Sequence, residues 1–215
     1  MATDRSDGLQ TRGRLLDAAG AIFAAKGFHD ATTAEICRVA KANIAAVNYH
    51  FGSKERLYVE TWRHAFERSL AAHPPDGGVP PTAPAEERLH GQIQALLRRI
   101  MNPANLDFDI GHREMNNPTG LLAEVMRRSI DPLRRALQGV VRELLGARAT
   151  DLRVRLCETS IHAQCFSPLT LDRHRRRHGN AKAFGPPPSA VDADVLAEHV
   201  FRFSLAGIRE VRREP

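Results

Sequence analysis

Five neighbouring residues have the side chains that DNA-reading helices use. Asn48 can hydrogen-bond to adenine or to a phosphate, and Tyr49 and His50 can donate to phosphate oxygens. Ala45 and Ala46 are small enough to let a helix backbone approach a groove closely, and their methyl groups can contact thymine methyl groups. For His50, packing against the following helix is the alternative. The segment therefore has the chemistry of a helix that enters a DNA groove.

The charge around this segment favours contact with a polyanion. Between Arg38 and Arg56 the chain has four cations and one anion, a local net charge of +3. The whole chain has 31 Lys and Arg against 25 Asp and Glu, a net charge of +6. Each phosphate contact releases counterions from DNA, so a local cluster of cations promotes binding. The overall charge is weaker evidence, because many basic proteins bind no nucleic acid.

Other residues that could bind a metal, contact DNA or catalyse a reaction do not form a site in the sequence pattern. Cys157, His162 and Cys165 have side chains that can bind a soft metal ion. The five-residue step from Cys157 to His162 does not keep these two residues on one helix face, so packing in the core is favoured over a metal site. The run Arg173–His178 contains four arginines, for which a solvent-exposed loop is favoured over a DNA contact. No Ser-His-Asp set, glycine-rich phosphate loop or pair of carboxylates indicates an enzyme, and no cofactor or metal is predicted.

The hydrophobic pattern predicts an all-α fold. Apolar residues recur at helical spacing within residues 15–26, 89–100, 121–145, 152–166 and 195–208. Proline-rich stretches at 73–84 and 185–188 interrupt the helices, because proline lacks the amide donor and clashes with the preceding turn. Pro132 is expected near a helix start, where the missing amide costs little.

Composition and cysteine use indicate the class of protein. The chain is 42% hydrophobic and 26% charged, which is typical of a globular protein. Its three cysteines form no C-x-x-C pair, which favours a reducing compartment. Charged residues interrupt the first 25 positions, so no signal peptide is predicted, and no apolar run of about 18 residues could span a membrane. We expect a cytoplasmic protein.

Residues 32–55 have the pattern of two short helices joined by a tight turn. Thr32 or Thr33 can cap the first helix and Asn43 can cap the second. Ser53 can begin the next helix, whose amide end suits an anion. The apolar residues expected inside the angle are Ile36, Ala40, Ile44 and Val47. This arrangement is a helix-turn-helix, and it leaves the segment from Ala45 to His50 facing outward.

These motifs are similar to those of the tetracycline-repressor (TetR) family. The resemblance covers about residues 10–65, and it rests on Phe23-Ala24-Ala25-Lys26-Gly27-Phe28, Thr33-x-Glu35-Ile36 and Tyr49-His50-Phe51-x-x-Lys54-Glu55-x-Leu57. Downstream, Arg113–Thr119 resembles a motif of the CecR/YbiH-like subgroup. The resemblance implies an N-terminal three-helix DNA-binding helix-turn-helix domain over residues 1–53. A larger helical domain for ligand binding and dimerisation would follow over residues 54–215.

The resemblance also implies which residues contact DNA. Thr33 and Lys54 would contact phosphates, and Lys41 occupies a turn position where the family has a left-handed glycine. Either Lys41 adopts that conformation at a cost of about 1 kcal/mol or more, which a phosphate contact could offset, or the turn differs locally. The groove-facing set would be Ile44, Ala45, Ala46, Asn48, Tyr49 and His50. The complete predicted DNA-binding set is Thr33, Lys41, Asn43, Ile44, Ala45, Ala46, Asn48, Tyr49, His50 and Lys54.

A homodimer on double-stranded operator DNA is expected. One short recognition helix contacts few base pairs, so two must sit a DNA turn apart, about 34–36 Å or a multiple. The resemblance implies that the last two long helices, about 151–167 and 191–210, form a four-helix bundle between subunits. The candidate apolar contacts are Leu152, Leu156, Val195, Val200, Phe203 and Ile208.

A small hydrophobic ligand is expected to release a repressor from its operator. It would bind between helices of the larger domain and shift the helix that begins near Lys54. Its candidate contacts, each with core packing as the alternative, are Trp62, Phe66, Met101, Met115, Met126 and Phe166. Two other functions stay open: a regulator of the same fold controlled by a protein partner without an inducer, and an enzyme, which the missing catalytic set disfavours.

Overall fold

The computed structural model describes residues 2–178 and 191–213, and all regular structure in these two ranges is helical, as the sequence predicts. The α-helices are α1 (Ala2–Asp30), α2 (Thr33–Ala40), α3 (Ile44–Phe51), α4 (Lys54–Ala72), α5 (Ala85–Met101), α6 (Asp107–Asn116), α7 (Ala123–Leu145), α8 (Asp151–His178) and α9 (Ala193–Arg213). A single 3-10 turn, Gly146–Arg148, follows α7. None of the helices in the described part of the chain is long and apolar enough to cross a membrane.

The chain packs into two compact units. The first comprises Met1–Ala71 and Pro103–Ser129, and the second comprises Ala72–Asn102 and Ile130–Pro215. These units are defined by packing, and α6 belongs to the first of them together with α1 to α3. The functional division at residues 53 and 54 stays a prediction.

The first unit is built around α1, which packs against α2, α3 and α6. Leu15 and Phe23 of α1 are completely buried, as is Ile36 of α2, and Val47 of α3 is nearly so. Burying each such side chain stabilises the fold by about 1.5–3 kcal/mol relative to exposure. This shared core fixes the angle between α2 and α3.

The second unit pairs α5 with α9, and α9 also packs against α8. Arg98 binds Asp194 at 2.7 Å, whereas Arg209 binds Glu86 at 2.7 Å, so α5 and α9 run antiparallel. Val200 and Ile208 of α9 are buried within this unit. The sequence-based assignment of these two residues to a subunit interface is therefore wrong, because helical spacing does not reveal which face the chain's own helices cover.

The proline-rich connection 73–84 lies between α4 and α5, as predicted. It packs closely on α5 at Gly91, where a Cβ would lie 2.7 Å from the Asp76 carbonyl oxygen and 2.6 Å from Val79 Cγ2. A glycine at this position of α5 therefore lets the connection approach the helix backbone. The other predicted break, 185–188, lies outside the described residues.

Two predictions about the later helices need correction. Pro132 lies inside α7, which begins at Ala123 rather than at the proline. The run Arg173–His178 belongs to the end of α8 and is not a loop. Arginine is a good helix former, and this propensity lets α8 continue beyond its apolar part.

Candidate nucleic-acid interface

The turn between α2 and α3 is held by local hydrogen bonds. The Thr32 hydroxyl oxygen caps α2 by accepting from Glu35 N at 3.2 Å, and Asn43 Oδ1 caps α3 by accepting from Ala45 N at 2.9 Å. Lys41 has φ 51° and ψ 46°, the left-handed conformation expected for the family's glycine. Its N–H donates to the Arg38 carbonyl, which closes α2. Because Asn43 Oδ1 caps the helix, this residue has a structural role in addition to its predicted DNA contact.

Lys41→Gly is expected to raise the melting temperature and weaken DNA binding at the same time. Glycine removes about 1 kcal/mol of left-handed strain, which corresponds to about 2–4 °C in a chain of this size. Loss of one phosphate contact should reduce the salt dependence of binding by about one ion. Thermal unfolding and binding titrations at several salt concentrations measure both effects. Lys41→Ala keeps the strain, so a rise in its melting temperature equal to that of Lys41→Gly would contradict the explanation.

The α3 helix presents an exposed outer face of mixed polarity above a buried apolar inner one. Val47 and Phe51 are buried, whereas Tyr49 is 84% exposed and Ala45 and Asn48 are also exposed. Ile44 is 53% exposed, so its predicted place inside the angle is wrong, while its place in the groove-facing set stays a prediction. Isoleucine occupies the first turn of α3, where α2 does not cover it.

Four other residues of the predicted DNA-binding set are half-buried. Ala46 and His50 are half-buried, and the His50 ring lies edge-on to Tyr49 with centroids 4.9 Å apart. Thr33 is half-buried in the first turn of α2. Lys54 lies at the start of α4 with Nζ 4.4 Å from the centroid of the Phe28 ring, a cation–π contact that holds its ammonium group near the end of α1.

The Ser53 hydroxyl oxygen caps α4, as the sequence predicts, by accepting from Arg56 N at 3.3 Å. Arg12 of α1 contacts both α3 and α4. Its guanidinium group lies 5.3 Å from the centroid of the Phe51 ring and donates a hydrogen bond to Glu60 at 3.1 Å. These contacts fix the ends of α3 and α4 on α1. Helix α3 therefore contacts α1 at its C-terminal end as well as through its buried face.

A buried carboxylate, Glu114, connects α6 to α4. Tyr58 donates its hydroxyl to Glu114 Oε2 at 3.1 Å, and the backbone N–H groups of Thr119 and Gly120 donate to Oε1 at 3.0 and 2.9 Å. Burial and the negative charge of Glu114 raise the pKa of Tyr58 above its usual range, so the phenol stays protonated as a donor. Tyr58 also packs against Phe23 of α1, with ring centroids 4.7 Å apart.

The preceding residue, Arg113, connects α6 to α1. Its guanidinium group donates to the carbonyl oxygens of Ala24 and Ala25, close to the point where Gly27 interrupts the helix with φ 81°. Carbonyls near a helix end lack their helical partners, and the arginine satisfies them. Arg113 and Glu114 are sequence neighbours that point to different helices.

Sequence reasoning missed this role of Arg113, Glu114 and Tyr58. The Arg113–Thr119 motif was available as a signal, but only as a mark of the subgroup. A motif shows that particular residues recur together, whereas their partners on α1 and α4 become evident only in the folded chain.

Three of the predicted ligand contacts lie together in the first unit. Trp62 is buried, donates its indole N–H to the Asp107 carbonyl at 3.1 Å and stacks on Phe66 with centroids 4.9 Å apart. Met126 lies nearby, since a Cβ on Gly111 would be 3.3 Å from its methyl carbon and 3.6 Å from Trp62 Nε1. Met115 instead lies on the surface and is 66% exposed.

The other two predicted ligand contacts belong to the second unit. Met101 is half-buried at the end of α5, and Phe166 is half-buried with its ring 5.9 Å from that of His162. A cleft of about 250 Å³ lies in the first unit instead, between Val59 and Arg63 of α4 and Leu121, Val125 and Arg128. None of the six predicted ligand residues lines this cleft.

A buried acidic group also lies in the second unit. Glu158 of α8 is 2% exposed and accepts hydrogen bonds from Arg134 at 2.9 Å and from Gln138 at 2.5 Å, with His162 Nδ1 3.7 Å away. Burial alone would raise the pKa of Glu158, but the hydrogen bonds from Gln138 and Arg134 outweigh it and lower the pKa. Burial lowers the pKa of His162.

Acid is expected to destabilise the second unit. Below about pH 6.5 the unfolded chain binds a proton at His162 that the folded chain resists, and below about pH 4.5 the same holds for Glu158. Thermal unfolding from pH 7.5 to 4 should show a falling melting temperature. Glu158→Gln should be less stable than the wild type at pH 7, by about 1–3 kcal/mol, and the difference should shrink towards pH 4. A constant difference, as expected for the exposed control Glu210→Gln, would contradict this account.

The cysteines are buried rather than reactive. Cys37 contacts the Asn43 carbonyl oxygen at 3.7 Å, and burial raises its pKa. Burial also raises the pKa of Cys157, and it raises that of Cys165 to about 12. Cys157 and Cys165 are therefore core residues. His162, the third residue of the possible metal site, lies beside Glu158.

A helix-turn-helix with an exposed outer face on its second helix, in a described part of the chain that is helical throughout its regular structure, is typical of DNA-binding transcriptional regulators. Family models agree with this class. Residues 15–61 match the model described as bacterial regulatory proteins, tetR family, and residues 85–208 match the C-terminal domain of the HTH-type transcriptional dual regulator CecR. The chain belongs to the TetR family, in its CecR-like subgroup.

Individual relatives show the same similarity. The HTH-type transcriptional dual regulator CecR of Shigella flexneri is 33% identical over 162 residues, which cover 68% of this chain and 70% of the relative. The transcriptional repressor NicS of Pseudomonas putida is 35% identical over 57 residues, which cover 26% of this chain and 27% of that protein. The structure of FadR from Bacillus subtilis, in complex with stearoyl-CoA, has a TM-score of 0.68 and 17% identity, covering 90% of this chain and 97% of that one.

Proposed function

We propose that this TetR-family regulator acts as a homodimeric repressor and that a small hydrophobic ligand releases it from its operator. The outer face of α3, where Tyr49, Asn48 and Ala45 are exposed, is the observation that carries the DNA-binding part. Side chains of these types read base edges and phosphates in the major groove. In this proposal residues 1–53 bind DNA, and residues 54–215 dimerise and bind the ligand.

Exposed apolar side chains on α8 and α9 support the dimer. Leu152 and Leu156 of α8 and Val195 and Phe203 of α9 are each more than half exposed. Large apolar side chains that recur on two helices of one unit mark a surface that a partner covers. A second copy of the chain would bury them in a four-helix bundle.

The pair Arg113 and Glu114 supports control of the DNA-binding helices through α6. These two residues tie α6 to the end of α1 and to Tyr58 of α4, so displacement of α6 would pull on both helices. A ligand beside Trp62, Phe66 and Met126 would act on α4 and α6 directly. The stearoyl-CoA bound to FadR supports a ligand with an apolar acyl chain, while the family fold itself allows many chemistries.

The DNA-binding proposal is tested with the full chain and DNA from upstream of its own gene. We expect binding that prefers this DNA over a scrambled sequence and weakens steeply with salt. Leu156→Glu should produce a folded monomer that loses tight binding, with Ala71→Glu, at an exposed position outside residues 1–53 and outside α8 and α9, as the charge control. A folded dimer that shows no sequence preference would overturn the proposal.

The ligand part is tested separately by a thermal-shift screen of hydrophobic compounds, with each hit added to the operator complex. Release of DNA by a hit supports the proposal, and a reporter gene that rises on deletion of the regulator supports repression. Hits that never lower operator affinity favour the alternative, a regulator controlled by a protein partner without an inducer.

A further inference from the structure

Two arginines of the helix-turn-helix region are exposed and have no partner among the described residues. Arg38 lies in the last turn of α2, and Arg56 lies in the first turn of α4. Within the described part of the chain, neither guanidinium group forms a hydrogen bond or an ion pair with another side chain. Neither residue belongs to the predicted DNA-binding set, so the role of both positive charges is open.

Arg38 has a glutamate at a spacing that permits an ion pair. Glu35 lies three residues earlier in α2, and residues three apart on a helix are neighbours on its surface. The Glu35 carboxylate instead accepts a hydrogen bond from Lys26 Nζ of α1 at 2.7 Å. The contact between α1 and α2 therefore engages the nearest anion and leaves the charge of Arg38 uncompensated.

The same arrangement is repeated on α4. Glu60 lies four residues after Arg56, but one of its carboxylate oxygens accepts from Arg12 at 3.1 Å and the other from Arg63 at 2.8 Å. The guanidinium group of Arg56 instead lies beside Gly52, where a Cβ would be 3.7 Å from Nη1. Both oxygens of the available glutamate are therefore occupied by other arginines.

Arginines at the same spacing from a glutamate form ion pairs elsewhere in the described chain. On α7, Arg127 binds Glu124 at 2.9 Å, and on α9, Arg202 binds Glu198. Exposed pairs of this kind contribute only about 0.2–0.5 kcal/mol, so an unpaired arginine costs the fold little. The two unpaired charges in the helix-turn-helix region are therefore available to an external anion.

The two arginines lie at opposite ends of α3. The Arg38 carbonyl oxygen accepts from Lys41 N at 3.3 Å, which places the residue at the turn before α3. Arg56 lies beside Gly52, whose N–H closes the end of α3. An eight-residue helix is about 12 Å long, and the major groove of DNA is about 12 Å wide. A cation at each end of α3 is thus placed where a phosphate backbone borders the groove.

We propose that Arg38 and Arg56 bind phosphate groups of the operator on the two sides of the groove that α3 enters. This inference rests on the DNA-binding function proposed above and adds two contacts to it. A guanidinium group can donate two parallel N–H bonds to the oxygens of one phosphate. Phosphates are the same in every sequence, so these contacts increase affinity without selecting a base.

The test uses Arg38→Gln and Arg56→Gln in the full chain, titrated at several salt concentrations with DNA from upstream of its own gene and with a scrambled duplex. Each change should reduce the salt dependence of binding by about one ion for each subunit. A dimer that loses two contacts should bind both duplexes about 60-fold more weakly at 0.1 M salt. The melting temperature should stay nearly unchanged, because neither side chain has a partner in the folded chain.

Arg135→Gln is the matched control, since this arginine of α7 is exposed and also has no printed partner in sequence or space among the described residues. It should keep the affinity and salt dependence of the wild type. Arginine variants that bind like this control, beside a wild type that prefers its operator, would overturn the phosphate contacts and leave the proposed function intact.

Two further results would also contradict the phosphate contacts. A loss confined to the operator duplex would indicate that the arginines read bases, and a fall in melting temperature with an unchanged salt dependence would indicate a structural role. A wild-type chain that binds neither duplex would overturn this inference together with the proposed function.

Discussion

Ala45→Glu is expected to reduce operator affinity by about 100-fold or more. It places a carboxylate on the recognition helix against the DNA phosphates. It also removes a methyl contact, which contributes part of the binding free energy of about 1–3 kcal/mol per recognised base. Ala45 is exposed in the first turn of α3. An acidic side chain near a helix N-terminus interacts favourably with the helix dipole. The melting temperature should therefore hold or rise slightly while DNA binding is lost.

Binding titrations and thermal unfolding of the same preparations measure the two effects. Ala71→Glu is the matched control, because it makes the same change of charge at an exposed position near the end of α4. Equal losses in both variants would show that net charge alone controls binding. Full affinity of Ala45→Glu would show that α3 does not enter a groove.

Glu114→Leu is expected to destabilise the chain by about 3–5 kcal/mol. The change leaves the buried Tyr58 hydroxyl and the N–H groups of Thr119 and Gly120 without their acceptor. Each buried donor without a partner costs about 1–3 kcal/mol of stability. In a chain of this size the melting temperature should fall by about 10 °C. Because Tyr58 packs on Phe23 of α1, operator affinity should fall as well.

The matched control is Glu210→Leu on α9, where the glutamate is exposed and binds Arg213 at 3.2 Å. Its stability should stay within about 0.5 kcal/mol of the wild type. Glu114→Gln keeps one acceptor oxygen and should fall between the two. A fully stable Glu114→Leu would show that water or other groups replace the carboxylate, and would remove the structural basis for coupling through α6.

The helix-turn-helix was predictable because its signals are local. The caps Thr32, Asn43 and Ser53 each act on an amide two or three residues away, so their positions in the sequence specify where α2, α3 and α4 begin. The family resemblance left open whether Lys41 adopts the left-handed conformation or the turn differs locally, and the structure shows the left-handed conformation.

Burial at single positions was less predictable. Helical spacing favoured Ile44 inside the angle between α2 and α3, and Val200 and Ile208 at a subunit interface. The structure exposes Ile44 and buries the other two within the chain's own core. Periodicity describes one helix at a time. Which side of that helix is covered depends on how distant helices pack against it.

The sequence by itself therefore determined the all-helical class, the tight turn of the helix-turn-helix and the chemistry of its outer face. Only the tertiary structure decided that Arg113 binds the end of α1, and that Glu114 binds Tyr58, which lies 56 residues away in the sequence. Caps and turns are governed by backbone energies within a few residues. Contacts between distant segments instead depend on the packing of the whole unit, which no short segment specifies.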